Sequence, residues 1–186
     1  MTRSRPALPF VLSALWLLTL PALPGPTAAQ DAREGKVLCD VTENGQAATG
    51  TLTVLSGETE VASSPCGKPL AVAAGEYTAM VELDGALDGP KQRQPLSIQA
   101  GKLAALKAEF ATGLLEVRIK SQGRDTAGMA IIRKDGAQIG TLGSGVAAHL
   151  SAGKYEVVAR YRSQQKAFAE VIITAGQRTE LDAAFE

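Results

Sequence analysis

Apolar and polar residues alternate with a period of two over much of the chain beyond residue 36, the signature of strands with one buried face. Val37, Cys39 and Val41 alternate with Leu38, Asp40 and Thr42, and Asn44-Gly45 then signals a turn. Thr51 to Leu55 is rich in β-branched residues and predicts a second strand, which Ser56-Gly57 turns toward a third over Thr59 to Ala62. Ser64-Pro65-Cys66-Gly67-Lys68-Pro69 has the composition of a loop, and Leu70 and Val72 lead from it into an Ala-Gly turn. Beyond that turn Tyr77, Ala79, Val81 and Leu83 share one face, and Thr78, Met80, Glu82 and Asp84 share the other.

The same phrase occurs twice. Ala73-Ala74-Gly75-Glu76-Tyr77 running to Leu83 returns as Ser151-Ala152-Gly153-Lys154-Tyr155 running to Tyr161. Ile98-Gln99-Ala100-Gly101 running to Phe110 returns as Ile173-Thr174-Ala175-Gly176 running to Phe185. Two copies predict two modules. In both, the face holding the tyrosine is apolar, so it is the core face, with the tyrosine hydroxyl reaching a backbone partner or water.

Lys102 to Phe110 has the Ala, Leu, Lys and Glu content of a helix. Yet Leu106, Ala108 and Phe110 match Leu181, Ala183 and Phe185 at a spacing of two, and the shared period predicts a closing strand in each module. Thr112-Gly113 is the junction, Leu114 to Lys120 the next strand, and Asp135-Gly136 a hairpin turn. Gly140 to Gly145 is a flexible turn, because it lacks the following lysine and helix of a phosphate cradle. The fold class is therefore all-β: two tandem small antiparallel β-sandwich domains, the first over 36–112 and the second over 114–186. Modules of this size bury little core, so packing between them is expected to support the second.

The amino-terminal residues fall outside that scheme. Arg3 and Arg5 precede an apolar run from Leu8 through Leu20, and Pro21 to Ala29 ends in Thr27-Ala28-Ala29. This is the pattern of a cleaved signal peptide over 1–29, followed by a flexible lead over 30–35. An uncleaved anchor is the alternative. The expected product is a periplasmic or secreted protein with no transmembrane segment in the mature chain. In an oxidising compartment Cys39 and Cys66 are expected to form a disulfide.

Charge adds little. Residues 30–113 carry 7 basic and 11 acidic side chains, and residues 114–186 carry 10 and 8. That asymmetry would suit head-to-tail contacts or an anionic partner for the second module, or it is ordinary scatter on two solvated surfaces, and nothing approaches the basic density expected of a nucleic-acid binder. His149 is the only histidine, no Gly-x-Ser-x-Gly elbow is present, and a bridged cysteine pair leaves too few ligands for zinc. Asp84 to Pro90 places two carboxylates on a turn, but without the dense acidic spacing of a calcium loop. No catalytic residue, metal or cofactor is expected. Arg118, Lys120, Arg160, Arg162 and Lys166 form the candidate binding face, facing either an anionic partner or only solvent.

Leu150-Ser151-Ala152-Gly153-Lys154-Tyr155-Glu156-Val157, followed by Val171-Ile172-Ile173-Thr174-Ala175-Gly176-Gln177, resembles the strands of carboxypeptidase-regulatory-like and PEGA-like domains. Those are transthyretin-type or immunoglobulin-like β-sandwiches of bacterial envelope proteins. The second module lacks the Pro-Glu-Gly-Ala phrase, and the first inserts residues over Asp84 to Gln94. The resemblance implies an accessory, non-enzymatic domain and assigns no binding residue. The expected function is binding or scaffolding in the cell envelope through protein–protein contacts at a sheet edge or between the modules. The alternative is a carbohydrate or cell-wall binding module that uses the basic face of the second domain.

Overall fold

A computed structural model describes residues 33–186, and every strand or helix element among them is a β-strand. The expected leader over 1–29 and the first residues of the lead lie outside the described residues. The first half contains β1 (Glu34–Glu43), β2 (Gln46–Ala48), β3 (Gly50–Ser56), β4 (Thr59–Pro65), β5 (Leu70–Ala73), β6 (Gly75–Leu83), β7 (Lys91–Ile98) and β8 (Leu103–Phe110). The second contains β9 (Thr112–Ser121), β10 (Arg124–Asp125), β11 (Met129–Lys134), β12 (Ala137–Gly143), β13 (Ala147–Ser151), β14 (Gly153–Tyr161), β15 (Gln164–Ile173) and β16 (Arg178–Phe185). Among the described residues no helix is long and apolar enough to cross a membrane.

Each half is a sandwich of two four-stranded sheets. One sheet of the first half has the order β4-β3-β6-β7, and in the other β1 pairs with β5 and β2 along one edge and with β8 along the other. The second half repeats this as β12-β11-β14-β15 and as β9 between β13, β10 and β16. Most ladders are antiparallel, but β8 runs parallel to β1 and β16 parallel to β9. The turn after β7 explains the direction. It crosses between sheets at the end where β1 begins, with Gly101 N donating to Glu34 O, so β8 can only leave in the direction of β1. Gly35 and Gly113 sit where this crossing backbone passes closest, and a Cβ at either would collide with the carbonyl of Gln99 or Thr174.

The period-two residues fill two separate cores. Val37, Leu52, Val54, Val81 and Ile98 are among the buried residues of the first, and Leu115, Val117, Ile119, Ile132 and Val157 among those of the second. A fully buried aliphatic side chain of this kind stabilises by about 1.5–3 kcal/mol. Tyr77 and Tyr155 both contribute, as the repeated core face predicts. The stretch with helical composition is strand β8, because Leu106, Ala108 and Phe110 must all face the core.

Cys39 and Cys66 are bonded to each other, with Cα atoms 4.8 Å apart. The bridge ties β1 to a loop whose Gly67 N donates to Cys39 O. In the second module Gly145 N donates to Val117 O in the same arrangement, and the Ser144 hydroxyl accepts from Ile119 N at 2.9 Å. A hydrogen bond there takes the place of the covalent link.

Two expectations need correction. Gly140 to Gly143 is not a turn but the end of strand β12, paired with β11, and only the residues after it bend. At Gly140 a larger side chain would meet Leu87, which lies across it. Thr112 and Gly113 already belong to β9, so Ala111 alone links the modules.

Candidate functional site

The most elaborate polar arrangement lies where the modules meet, and residues 84–90 build it. In the second module the matching hairpin, β14 to β15, turns on Arg162-Ser163 alone. In the first the loop is longer and bends at Gly85 (φ 81°) and Gly89 (φ 49°), so it reaches the next module. Leu87 N donates to His149 O at 2.8 Å, and Ala86 pairs with His149 as a parallel bridge, which lays the strap along β13. The Leu87 side chain packs against the second core and covers Gly140, where an added Cβ would stand 2.6 Å from its Cδ1.

Asp88 follows, with its side chain only 4% exposed. Its Oδ1 accepts from Ser151 N at 3.1 Å, and its Oδ2 lies 3.0 Å from the Tyr155 hydroxyl and 3.4 Å from Lys134 Nζ. The Tyr155 hydroxyl also lies 2.8 Å from Ser151 O, so its single proton is shared between carbonyl and carboxylate, while Lys134 Nζ donates to it at 3.3 Å. Burial pushes the Asp88 carboxyl up, but the bonds from Ser151 and Tyr155 and the Lys134 charge outweigh it and hold the group below the ordinary carboxylate value. The same burial, with the bond to Asp88, raises Tyr155 well above a free phenol.

A second contact lies beside the linker. Asn44 (φ 51°) and Gly45 (φ 79°) form the predicted turn. Asn44 Nδ2 donates to Thr112 O at 2.9 Å, and its Oδ1 accepts from Thr112 N at 3.1 Å. The buried Thr112 hydroxyl donates to the Glu43 carboxylate, which also meets His149 Nδ1 at 2.9 Å. In a hydrolytic triad the imidazole stands between hydroxyl and carboxylate. Here the carboxylate stands between the other two, so the arrangement is not that of a triad.

The five residues of the expected basic face are not brought together. Arg118 Nε lies 2.8 Å from Glu116, a carboxylate that Arg178 also holds, and Lys120 Nζ lies 2.8 Å from Asp182. Both are on β9. Arg160 stands opposite Gln165 on the other sheet, Arg162 (φ 52°) occupies the turn with its guanidinium 5.0 Å from the Tyr161 ring, and Lys166 lies opposite Ala159 with Nζ 5.6 Å from the Phe168 ring. Successive strand residues point to opposite faces, so Arg160 and Lys166 diverge. Among the described residues no group of three or more His, Cys, Asp or Glu side chains could hold a metal. The carboxylate of Asp88, considered for calcium, is turned to Ser151, Tyr155 and Lys134 instead.

Sequence reasoning placed none of the joint residues in a site. The available signal was the set of residues over Asp84 to Gln94 that the second copy lacks.

No protein-family model matches the chain, and no curated protein matches it. Solved structures do show likeness at low identity. The minor pilin GBS52 of Streptococcus agalactiae is 10% identical, with 82% of this chain and 94% of that one covered at a TM-score of 0.41. An adhesin of unproven function from Bacteroides ovatus is 7% identical, with 90% and 98% covered at a TM-score of 0.42. The TIE protein of Bacillus anthracis is 12% identical at a TM-score of 0.39, and the match covers 82% of this chain but spans only 34% of that protein.

Proposed function

We propose that this chain is an exported, non-catalytic binding or scaffolding protein of the cell envelope whose two sandwiches act as one stiff unit toward a protein partner. The observation that supports this most is the strap over residues 84–90, which uses a buried carboxylate, a buried tyrosine and a leucine to fix one module on the other. A site built for chemistry would leave such groups free to meet a substrate. In this joint they satisfy each other, and what the molecule gains is a defined spacing and orientation of two sheet surfaces. The leader expected over 1–29 belongs to this reading, as does the finer likeness to carboxypeptidase-regulatory-like domains. Crosslinking of the tagged chain in its native envelope, followed by mass spectrometry, tests it. Reproducible capture of one foreign envelope protein, lost when sheet-face residues are changed, supports the reading, and hydrolytic activity abolished by a single substitution sinks it.

The glycan reading has one observation in its favour. Arg160, Arg162 and Lys166 make no ion pair among the described residues, whereas Arg118 and Lys120 do. A glycan site would then sit at the β14–β15 hairpin. Salt-sensitive, saturable binding of cell-wall fragments that is lost in Arg162→Ala would favour it over a protein partner.

A further inference from the structure

The notch that receives Asn44 at the joint occurs a second time. At the joint it is lined by Thr112, Gly113, His149, Gly176 and Gln177. The residues matching these in the first module, Glu34, Gly35, Ala71, Gly101 and Lys102, line a notch of their own at the opposite end of that module. The backbone around the two is held alike. Gly176 N donates to Thr112 O and Gly101 N to Glu34 O, each at 2.8 Å, while Ala152 N donates to Ala111 O at 2.8 Å and Ala74 N to Arg33 O at 2.9 Å.

The element that fills the joint is duplicated as well. Asn44 and Gly45 have φ of 51° and 79°, and Gln122 and Gly123, at the far end of the second module, have φ of 52° and 76°. Asn44 N donates to Phe110 O at 2.8 Å and Gln122 N to Phe185 O at 3.2 Å, so the two turns are anchored by the same bond. Both also present a side-chain amide, the group that pairs with the backbone N–H and C=O of Thr112 at the joint.

The neighbouring residues are complementary in reverse. At the joint the turn brings a carboxylate, Glu43, and the notch offers a hydroxyl, Thr112, which donates to it. At the outer ends the turn carries a hydroxyl, Ser121, which lies beside the Tyr161 hydroxyl of its own module, and the notch carries a carboxylate, Glu34. The same two kinds of group are thus present with the sides exchanged. Charge agrees, since residues 30–113 hold 7 basic and 11 acidic side chains against 10 and 8 over 114–186.

We propose that copies of this chain associate head to tail, the Gln122-Gly123 turn of one copy seated in the Glu34 notch of the next, with Ser121 donating to the Glu34 carboxylate. The second module has only Arg162-Ser163 where the first has its strap, so this contact lacks the Leu87 and Asp88 anchors and is reversible. Being heterologous, it leaves a free turn and a free notch on every assembly and can extend. The inference goes beyond the scaffolding reading, and the two fail separately, because self-association needs no foreign partner.

Sedimentation velocity of the full chain, expressed with its leader and purified from the exported fraction at low salt, provides the test. The average mass should rise with protein concentration. Ser121→Glu sets two carboxylates against each other and should weaken association by about tenfold or more. Adding Glu34→Thr to that variant rebuilds the pair found at the internal joint and should restore it. A monomer at every concentration overturns the proposal. So does a Ser121→Glu variant that associates like the parent, or a folded double variant, checked by its thermal transition, that does not recover.

Discussion

The Tyr155 hydroxyl and the Asp88 carboxylate meet at 3.0 Å across the boundary between two sandwiches whose cores are otherwise separate. Tyr155 opens the core strand of the second module, and Asp88 sits at the tip of a loop from the first. Their meeting turns two small domains joined by one residue, Ala111, into a unit whose parts constrain each other. Asp88→Ala should therefore lower stability by about 2–3 kcal/mol, since a buried carboxylate with charge-assisted bonds is lost. Tyr155→Phe should cost about 1 kcal/mol, because Ser151 and Lys134 still hold the carboxylate. Urea unfolding checks both, and equal effects would mean that the bond to Tyr155 carries all that the carboxylate contributes, with nothing added by Ser151 and Lys134.

Acid should loosen the same contact. The folded-state pKa of Asp88 lies below the ordinary carboxylate value, because the bonds from Ser151 and Tyr155 and the charge of Lys134 outweigh the effect of burial. Its contribution is complete above the unfolded-state pKa of about 3.9 and is lost as the pH falls through the lower folded-state value. Stability measured from pH 7 downward should fall off below about pH 4, and Asp88→Asn should flatten that part of the profile. A profile unchanged by the substitution would place the acid sensitivity elsewhere.

Gly140 and Leu87 make a steric prediction. Gly140→Val places branched carbon where the Leu87 side chain now lies, so the strap must lift from β12. Amide hydrogen exchange should then quicken at Leu87, whose N–H bonds to His149 O, while the core strands of the first module stay protected. Leu87→Ala leaves the backbone bond but removes packing, with a cost of about 1–2 kcal/mol for this partly buried side chain. Faster exchange in Gly140→Val but not in Leu87→Ala would separate displacement from lost contact.

Reduction of the disulfide should act on one module alone. Cys39 and Cys66 are 27 residues apart in sequence, and closing a loop of that size stabilises by about 3.5 kcal/mol in the chain-entropy account. With reductant, the first module should lose protection before the second, whose matching position is held by Ser144 and Ile119 N. Uniform loss across both modules would show that the joint couples them into a single unfolding unit.

The repeat made most of the strand pattern legible. Tyr77 and Tyr155 mark the same core face twice, and the match of Leu106, Ala108 and Phe110 to Leu181, Ala183 and Phe185 overrode the helical composition of Lys102 to Phe110, where local propensity alone misleads. The joint was less legible because each of its residues reads as ordinary out of context. Asp88 looks like a turn aspartate and Gly140 like a loop glycine, and only the fold sets them against Tyr155 and Leu87.

By itself the sequence determined the all-β class, the two-fold repetition, the inward faces and the cysteine pair, because period, turn residues and a matched pair of thiols are properties of short stretches. The tertiary structure decided what depends on strands meeting from far apart. It set the parallel closure of β8 on β1 and β16 on β9, which follows from the end at which the chain crosses between sheets. It parted the basic residues among different faces, because strand alternation and sheet assignment, not residue type, fix where a side chain points. It also turned an insertion in one hairpin into the bond that holds the modules together, since a loop finds its partner only once both sandwiches are folded.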